Sequence, residues 1–292
     1  MTNHTFRQIS QHVYWLSPDS RTDRPILGAI SGKHGTLIVD VGNSPAHAEV
    51  LLREVTAAGL PSPSFVALTH WHWDHVFGTA ALPLPTFASR ATGRVVAEMA
   101  TLEWTDAALD QRVEAGLEIP FCRDMIKAEL PDRSTLTIRP PDITFPDNIE
   151  LELGGLTCQI VHVGGDHSAD STIVYVPEDK ILFLGDCIYP DIYHPARRYT
   201  TANLFPLLDR LLDYPAECYL AGHHPEPLSR AQMIDDATLF KTVGGLVEEY
   251  APDRATIVTQ LEHVRGTPIS EDDLELVDEF IAGLPSHASS NV

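Results

Sequence analysis

The chain has 292 residues, enough for one large domain or two modest ones with a sizeable core. Its 20 Lys and Arg against 41 Asp and Glu leave a formal net charge of −21 at pH 7, which repels phosphate backbones and argues against nucleic acid as a partner. No apolar run approaches membrane-spanning length, so no membrane partner is expected either. The first residues show no basic stretch leading into an apolar core, and no signal peptide is expected. Cys122, Cys158, Cys187 and Cys218 are widely spaced and form no C-x-x-C pair, which suits free thiols in a cytoplasmic protein.

In chain order, residues 6–16, with Ile9, Val13, Tyr14 and Leu16, predict an opening strand. Residues 26–32 and 36–40 predict a second and third, joined as a hairpin through 33–35. Asp40, followed by Gly42, closes the third. Residues 45–59 carry Ala, Val and Leu at helical spacing, with Ser44 as N-cap and Gly59 as terminator. The run 64–68 reads as a short buried strand and leads directly into Thr69-His70-Trp71-His72-Trp73-Asp74-His75, with Gly78 soon after to permit a turn. Such polar density is costly to bury unless something binds it. Neutral imidazoles and carboxylates suit a divalent zinc, iron, nickel or manganese ion. The ligands therefore sit at a strand end and in the following loop, where α/β proteins place chemistry. In an extended loop His70 and His72 share a face and can converge on one ion; Asp74 has the same parity but follows a turn.

Beyond the motif, 87–88 predict a short strand and a helix begins near Ala91. Helical segments over 94–99, 102–113 and 121–130, broken at Gly116 and Pro120, make a helical insertion at about 91–130. Trp104, Leu117, Ile119, Phe121 and Met125 are its candidate apolar contacts, and it reads as a lid, a dimer contact or a packed peripheral helix pair. Strands resume at 143–145, 149–153 and 157–163, with hairpin turns at 147–148 and 154–155. The middle one alternates as a half-solvated strand should. Residues 172–176 and 180–184 form another hairpin across 177–179. After Gly222, helices are expected over 229–250 and 271–284, the second capped by Ser270, and the tail 286–292 is expected to fray. Two β-rich halves, each followed by helices, fit a sheet-on-sheet core with helices outside, in one domain spanning 1–292.

The H-x-H-x-D-H order of His70, His72, Asp74 and His75 resembles the signature of the metallo-β-lactamase superfamily. The chain also offers the further pieces in order: Gly164-Gly165-Asp166-His167-Ser168-Ala169-Asp170-Ser171, then Leu182-Phe183-Leu184-Gly185-Asp186, then Ala221-Gly222-His223. The resemblance covers roughly residues 10–230 and implies an α/β (α+β) four-layer αββα sandwich. By residue-wise match it implies that His70, His72 and His167 bind one metal and that Asp74, His75 and His223 bind a second, with Asp186 bridging. His162 is the rival for His167; Gly164-Gly165 and the Ser-Ala-Asp-Ser that follows favour His167. Asp40 resembles the family's strand-ending Asp-x-Gly, an aspartate that lies behind the ligands in relatives and orients them; a plain turn carboxylate is the other reading. Cys187 reads as a core or supporting thiol, and His194 and His224 have no assigned role. The span from His75 to His167 is longer than compact members need, and in relatives an insertion there commonly covers the site.

The resemblance implies two divalent ions as cofactors, zinc first, with iron or manganese as alternatives. Such a pair lowers the pKa of a bridging water and supplies hydroxide as nucleophile, while polarising the scissile carbonyl. Asp74 would orient that hydroxide and pass a proton to the leaving group. Asp186 stands where the lactam-cleaving zinc members most often have Cys, and Tyr189 where they carry a substrate-holding Lys. A tyrosine there resembles the quorum-sensing lactonases, where it contacts the substrate carbonyl, so Tyr189 is a second candidate catalytic residue; packing before Pro190 is the alternative. The Gly-His-Gly usual in the glyoxalase II branch is replaced by Gly222-His223-His224. The expected activity is hydrolysis of a small ester, lactone, thioester or amide. The alternatives are a mononuclear iron enzyme resembling persulfide dioxygenases, a β-lactamase, or a silent metal-binding scaffold. A small-molecule substrate is the expected partner, with a homodimer as an option.

Overall fold

The computed structural model describes residues 4–285. The tail expected to fray, 286–292, lies outside the described residues. The chain divides into two compact units. The first comprises the described residues to Gly164, Ser168–Cys187 and Pro215–Ser229, and holds every described strand.

Its first sheet runs in sequence order: β1 (Phe6–Gln8), β2 (Val13–Leu16), β3 (Leu27–Gly32), β4 (Gly35–Val39), β5 (Pro63–Ala67), β6 (Thr86–Ser89) and β7 (Ile143–Phe145). The first four are antiparallel neighbours; β4 to β7 pair in parallel and need crossovers. Helix α1 (Pro45–Ala57) supplies the first, starting where the Ser44 hydroxyl accepts from the His47 amide at 3.0 Å and ending before Gly59 at φ +69°, both as expected. A single turn, α2 (Trp73–Val76), follows β5. Helices α3 (Arg90–Met99), α4 (Asp106–Glu114) and α5 (Pro120–Glu129) fill the crossover from β6 to β7, so the insertion sits between two paired strands. Trp104 ties it down: its ring lies 4.7 Å from that of Phe77, just after α2, with the Arg112 guanidinium 4.6 Å above it. Leu117 and Phe121 are exposed, while Ile119 and Met125 are half-buried.

The second sheet is ordered β13-β12-β11-β10-β9-β8, from β8 (Asn148–Glu152), β9 (Thr157–His162), β10 (Thr172–Val176), β11 (Ile181–Gly185), β12 (Cys218–Ala221) and β13 (Leu228–Ser229). The sheets share one core, in which Val13, Trp15, Leu37 and Val39 meet Val174, Val176, Ile181 and Phe183. The i, i+2 spacing puts each pair on one face of its strand, and burying a side chain of this size is worth about 2 kcal/mol. Gly28 lets the layers close, since a Cβ there would stand 2.3 Å from the Phe183 ring. At the edge, β8 alternates as expected, with Ile149 and Leu151 on the core and the intervening glutamates outward.

Two expectations need correction. Residues 6–16 are a hairpin rather than one strand: the Ile9 amide donates to Val13 O at 2.8 Å, and β1 pairs back on β2. Asp179, far along the chain, accepts from Ser10 and from the His12 amide at 2.8 Å, holding a turn that local periodicity cannot reveal. Residues 147–148 are no hairpin turn, because β7 belongs to the first sheet and β8 to the second. The expected turn at 154–155 stands, with both glycines at positive φ.

The second unit comprises Gly165–His167, Ile188–Tyr214 and the described residues from Arg230 on. It contains α6 (Thr201–Asp213), α7 (Arg230–Tyr250), α8 (Arg254–Arg265) and α9 (Glu271–Ala282). Helices α7 and α9 match expectation, with Ser270 and Asp273 forming a capping box. Helices α6, with Pro206 inside it, and α8, opened by Asp253 and stopped by Gly266 at φ +64°, were not expected. Gly244 on α7 lets Phe205 and Phe280 approach, as a Cβ there would lie 2.6 Å from Phe205. Two sheets packed face to face and nine α-helices among the described residues give the mixed α/β architecture. No helix among them is long and apolar enough to cross a membrane.

Candidate metal centre

Strand β5 ends at Ala67, and the chain leaves its edge carrying Thr69, His70 and His72, all buried. The rings of His70 and His72 meet edge-on with centroids 4.6 Å apart, as their shared parity predicts. Helix α2 then breaks that parity. His72 O accepts from the His75 amide at 3.0 Å, and the turn carries Asp74 and His75 inward, both buried. Asp74 consequently joins His75, Asp186 and His223, whose donor atoms all lie within 4.8 Å of one another.

Asp40 stands behind this group, as the Asp-x-Gly resemblance implies. At the end of β4 its backbone takes φ +57°, a left-handed conformation that aspartate tolerates better than most residues. Its Oδ1 accepts from the Thr69 amide at 2.8 Å; its Oδ2 accepts from Thr69 Oγ1 and from His75 Nδ1, each at 2.8 Å. A carboxylate can only accept, so Nδ1 of His75 carries a proton, and Nε2 is the nitrogen turned toward Asp74 and Asp186. That Nε2 lies 3.1 Å from Asp74 Oδ2 and 3.5 Å from Asp186 Oδ2. Thr69 Oγ1, its own proton given to Asp40, is 3.1 Å from His70 Nδ1 and fixes that ring the same way. Thr69 had no place in the sequence reading, where it appeared only as the residue before the first histidine.

Asp186 follows Gly185, at φ +52°, on the end of β11, and His223 follows β12, which pairs with β11 in parallel. Gly222 is required beside it: a Cβ there would fall 1.9 Å from Asp186 Oδ1. His223 Nε2 lies 3.1 Å from Asp74 Oδ2 and 3.3 Å from Asp186 Oδ2, while its Nδ1 lies 3.5 Å from Asp23 Oδ1. Sequence reasoning missed Asp23; nothing in its local pattern marks it. Burial, then the negative charge of Asp74, pushes the Asp23 carboxyl up to about 7. Burial alone would raise Asp74 and Asp186, but the neighbouring histidines outweigh it and hold both well below the usual carboxylate range. Burial likewise disfavours charge on His75 and His223, and the facing carboxylates overcome it, raising both well above the ordinary imidazole value. A cation entering among the carboxylates must therefore displace imidazolium protons.

His167 lies on Gly165–His167 in the second unit. Gly164 at φ +70° and Gly165 at φ +142° make the turn that the sequence suggested. His167 is buried, and its Nδ1 donates to Pro190 O at 3.0 Å, so its Nε2 is also the basic nitrogen. The Tyr189 ring stands edge-on to it, centroids 6.1 Å apart. The rival His162 is occupied elsewhere, its Nε2 donating to Ala169 O at 2.9 Å. His224 Nδ1 bonds the backbone of Glu226, two residues on. Cys187 is buried, its thiol pushed up by burial and by the charge of Asp186, which suits a core thiol rather than a ligand.

A protein-family model described as the metallo-beta-lactamase superfamily matches residues 28–223. Among curated proteins, a metallo-beta-lactamase type 2 of Bacteroides fragilis is 23% identical over 56% of this chain and 51% of its own length. A beta-lactamase-like protein 2 homolog of Caenorhabditis elegans is 24% identical over 74% and 60%. A linear primary-alkylsulfatase of a Pseudomonas species is 24% identical over 52% and 31%. The chain thus spans between about a third and three-fifths of these relatives. Among solved structures, a metallo-beta-lactamase family protein from Thermus thermophilus superimposes with a TM-score of 0.59 at 18% identity, covering 95% of this chain and 93% of that one. A metallo-beta-lactamase from Pontibacter korlensis gives 0.54 at 22%, covering 81% and 98%. At such identities these likenesses show a shared fold.

Proposed function

Since the chain belongs to the metallo-β-lactamase superfamily, we propose that it is a metal-dependent hydrolase holding two divalent cations, zinc first, and cleaving a small ester, lactone, thioester or amide. The observation that carries this reading is the convergence of Asp74, His75, Asp186 and His223 on one point. Two carboxylates and two imidazoles suit a borderline dication. Each imidazole turns Nε2 inward while a carboxylate faces its Nδ1, an arrangement typical of metal-ligating histidines. By the family match, His70 and His72, both buried beyond the end of β5, would hold the other ion.

Bound there, such ions supply Lewis acidity and bring a coordinated water's pKa toward neutrality. The protein's own part is positional. Asp74, buried between His75 and His223, would orient the attacking water and could pass a proton to the leaving group. Tyr189, half-buried beside His167, would donate its hydroxyl to the substrate carbonyl oxygen. With tyrosine where lactam-cleaving relatives have lysine, an uncharged acyl substrate is favoured over one anchored by a carboxylate. The net charge of −21 disfavours phosphodiester backbones. The four unbridged cysteines support a reducing compartment, and we place the protein in the cytoplasm.

The test is a screen of zinc-loaded protein against lactones, thioesters, β-lactams, alkyl sulfates and phosphodiesters, paired with Asp74→Ala. Turnover of an acyl substrate that falls at least about 10³-fold in the variant is the expected result. No turnover of any class, or turnover indifferent to Asp74, would refute the hydrolase reading. One iron and no zinc per chain would favour an oxygenase on the same scaffold.

A further inference from the structure

Asp23 precedes the segment matched to the family, 28–223, yet it reaches the metal centre. It follows a short 3-10 turn, Ser20–Thr22, with φ +56°. We propose that Asp23 is the positioning residue for His223, and that a buried clamp on Glu129, the last residue of α5, holds it in place. The inference rests on the metal-site reading above and adds a part to it.

The clamp closes on the residues either side of Asp23. Thr22 Oγ1 donates to Glu129 Oε2 at 2.6 Å, and Arg24 Nη2 donates to Glu129 Oε1 at 2.6 Å. The Arg24 and Glu129 side chains are only 12% and 4% exposed. Ser44 Oγ adds a third donor at 2.6 Å, and Asn43 Nδ2 donates to Thr22 O at 2.7 Å. Arg24 also forms a backbone bridge with Asp19, at 2.9 and 3.0 Å. Just beyond, the Ile26 amide donates to Gly222 O at 2.7 Å, pinning this segment to the residue before His223. The turn carrying Asp23 is thus fixed from both flanks, at a set distance from the imidazole it faces. Asp23 Oδ1 sits on the Nδ1 side of His223 while Nε2 faces Asp74 and Asp186. A carboxylate at Nδ1 keeps that proton in place and strengthens Nε2 as a ligand, a contribution worth about 10–100-fold in metal affinity. Since Glu129 ends the insertion, the insertion's last helix is coupled to one ligand of one ion.

The experiment is competitive titration of zinc against a chromophoric chelator, together with the visible spectrum of the cobalt-substituted protein. It compares wild type, Asp23→Ala, Asp23→Asn and Glu129→Gln. Two ions are expected in wild type. In Asp23→Ala one ion loses about 10–100-fold in affinity while the other is unchanged. Asp23→Asn, which keeps an oxygen facing Nδ1 without the charge, should recover part of the loss, and Glu129→Gln should show a smaller loss of the same kind. The cobalt spectrum should change in Asp23→Ala, and circular dichroism should show each variant folded. Wild type with two ions and Asp23→Ala with both affinities and the cobalt spectrum unchanged would overturn the inference alone. An equal loss at both ions would reduce Asp23 to a general structural role and overturn it too. A wild type that binds no ion would overturn the metal-site reading and this inference with it.

Discussion

The His75 and His223 corners of the site use one device at two degrees of tightness. At His75 the carboxylate is Asp40, 2.8 Å away, on a strand end whose φ and amide bonds leave it no freedom, and the imidazole is fully buried. At His223 it is Asp23, 3.5 Å away on a turn held by side chains, and the imidazole is 27% exposed. A histidine set by a strand end of the core cannot be weakened without weakening the fold, whereas one set by a turn that side chains clamp can be tuned separately.

That contrast predicts its largest effect at Asp40. Asp40→Ala strands the Thr69 amide and His75 Nδ1 and places a Cβ residue that tolerates φ +57° poorly, so urea melts should show a loss of about 3–5 kcal/mol, with metal binding abolished. Stability close to wild type would break the distinction between the corners. The facing carboxylates raise both histidines well above the ordinary imidazole value, so an entering cation competes with protons for them. Zinc uptake should therefore release protons, and apparent affinity should fall as pH falls, by up to about tenfold per pH unit for each proton displaced. Calorimetry in buffers of different ionisation enthalpy reads this directly; buffer-independent heats would contradict the ion-paired cluster. The smallest effect belongs to the second unit. Ser270→Ala removes the α9 cap and should cost about 1 kcal/mol in thermal melts while leaving zinc affinity untouched. A shift in affinity would show that metal binding depends on that helix end.

Much of this was legible in the sequence, for definite reasons. Periodicity exposed the strands, and the resemblance to the metallo-β-lactamase superfamily, carried by motifs at strand ends, pointed to Asp74, His75, Asp186 and His223. Asp40 was legible through the family's strand-ending Asp-x-Gly, a local pattern that a plain turn carboxylate shares. Asp23 was not, because its role depends on contacts from Glu129 and Gly222, both far along the chain. The same cause hid the 6–16 hairpin, held by Asp179, and the sheet change at 147–148, which depends on which partner each strand finds. Helix α6 contains a proline, normally a reason to end a helix, so its sequence argues against the structure it adopts.

The most direct test is the metal content of zinc-reconstituted protein after exhaustive dialysis, set beside His223→Ala. We predict two zinc ions per wild-type chain and no more than one in the variant. A wild-type chain that retains none, or a variant that retains as many as wild type, would contradict a centre built on these side chains.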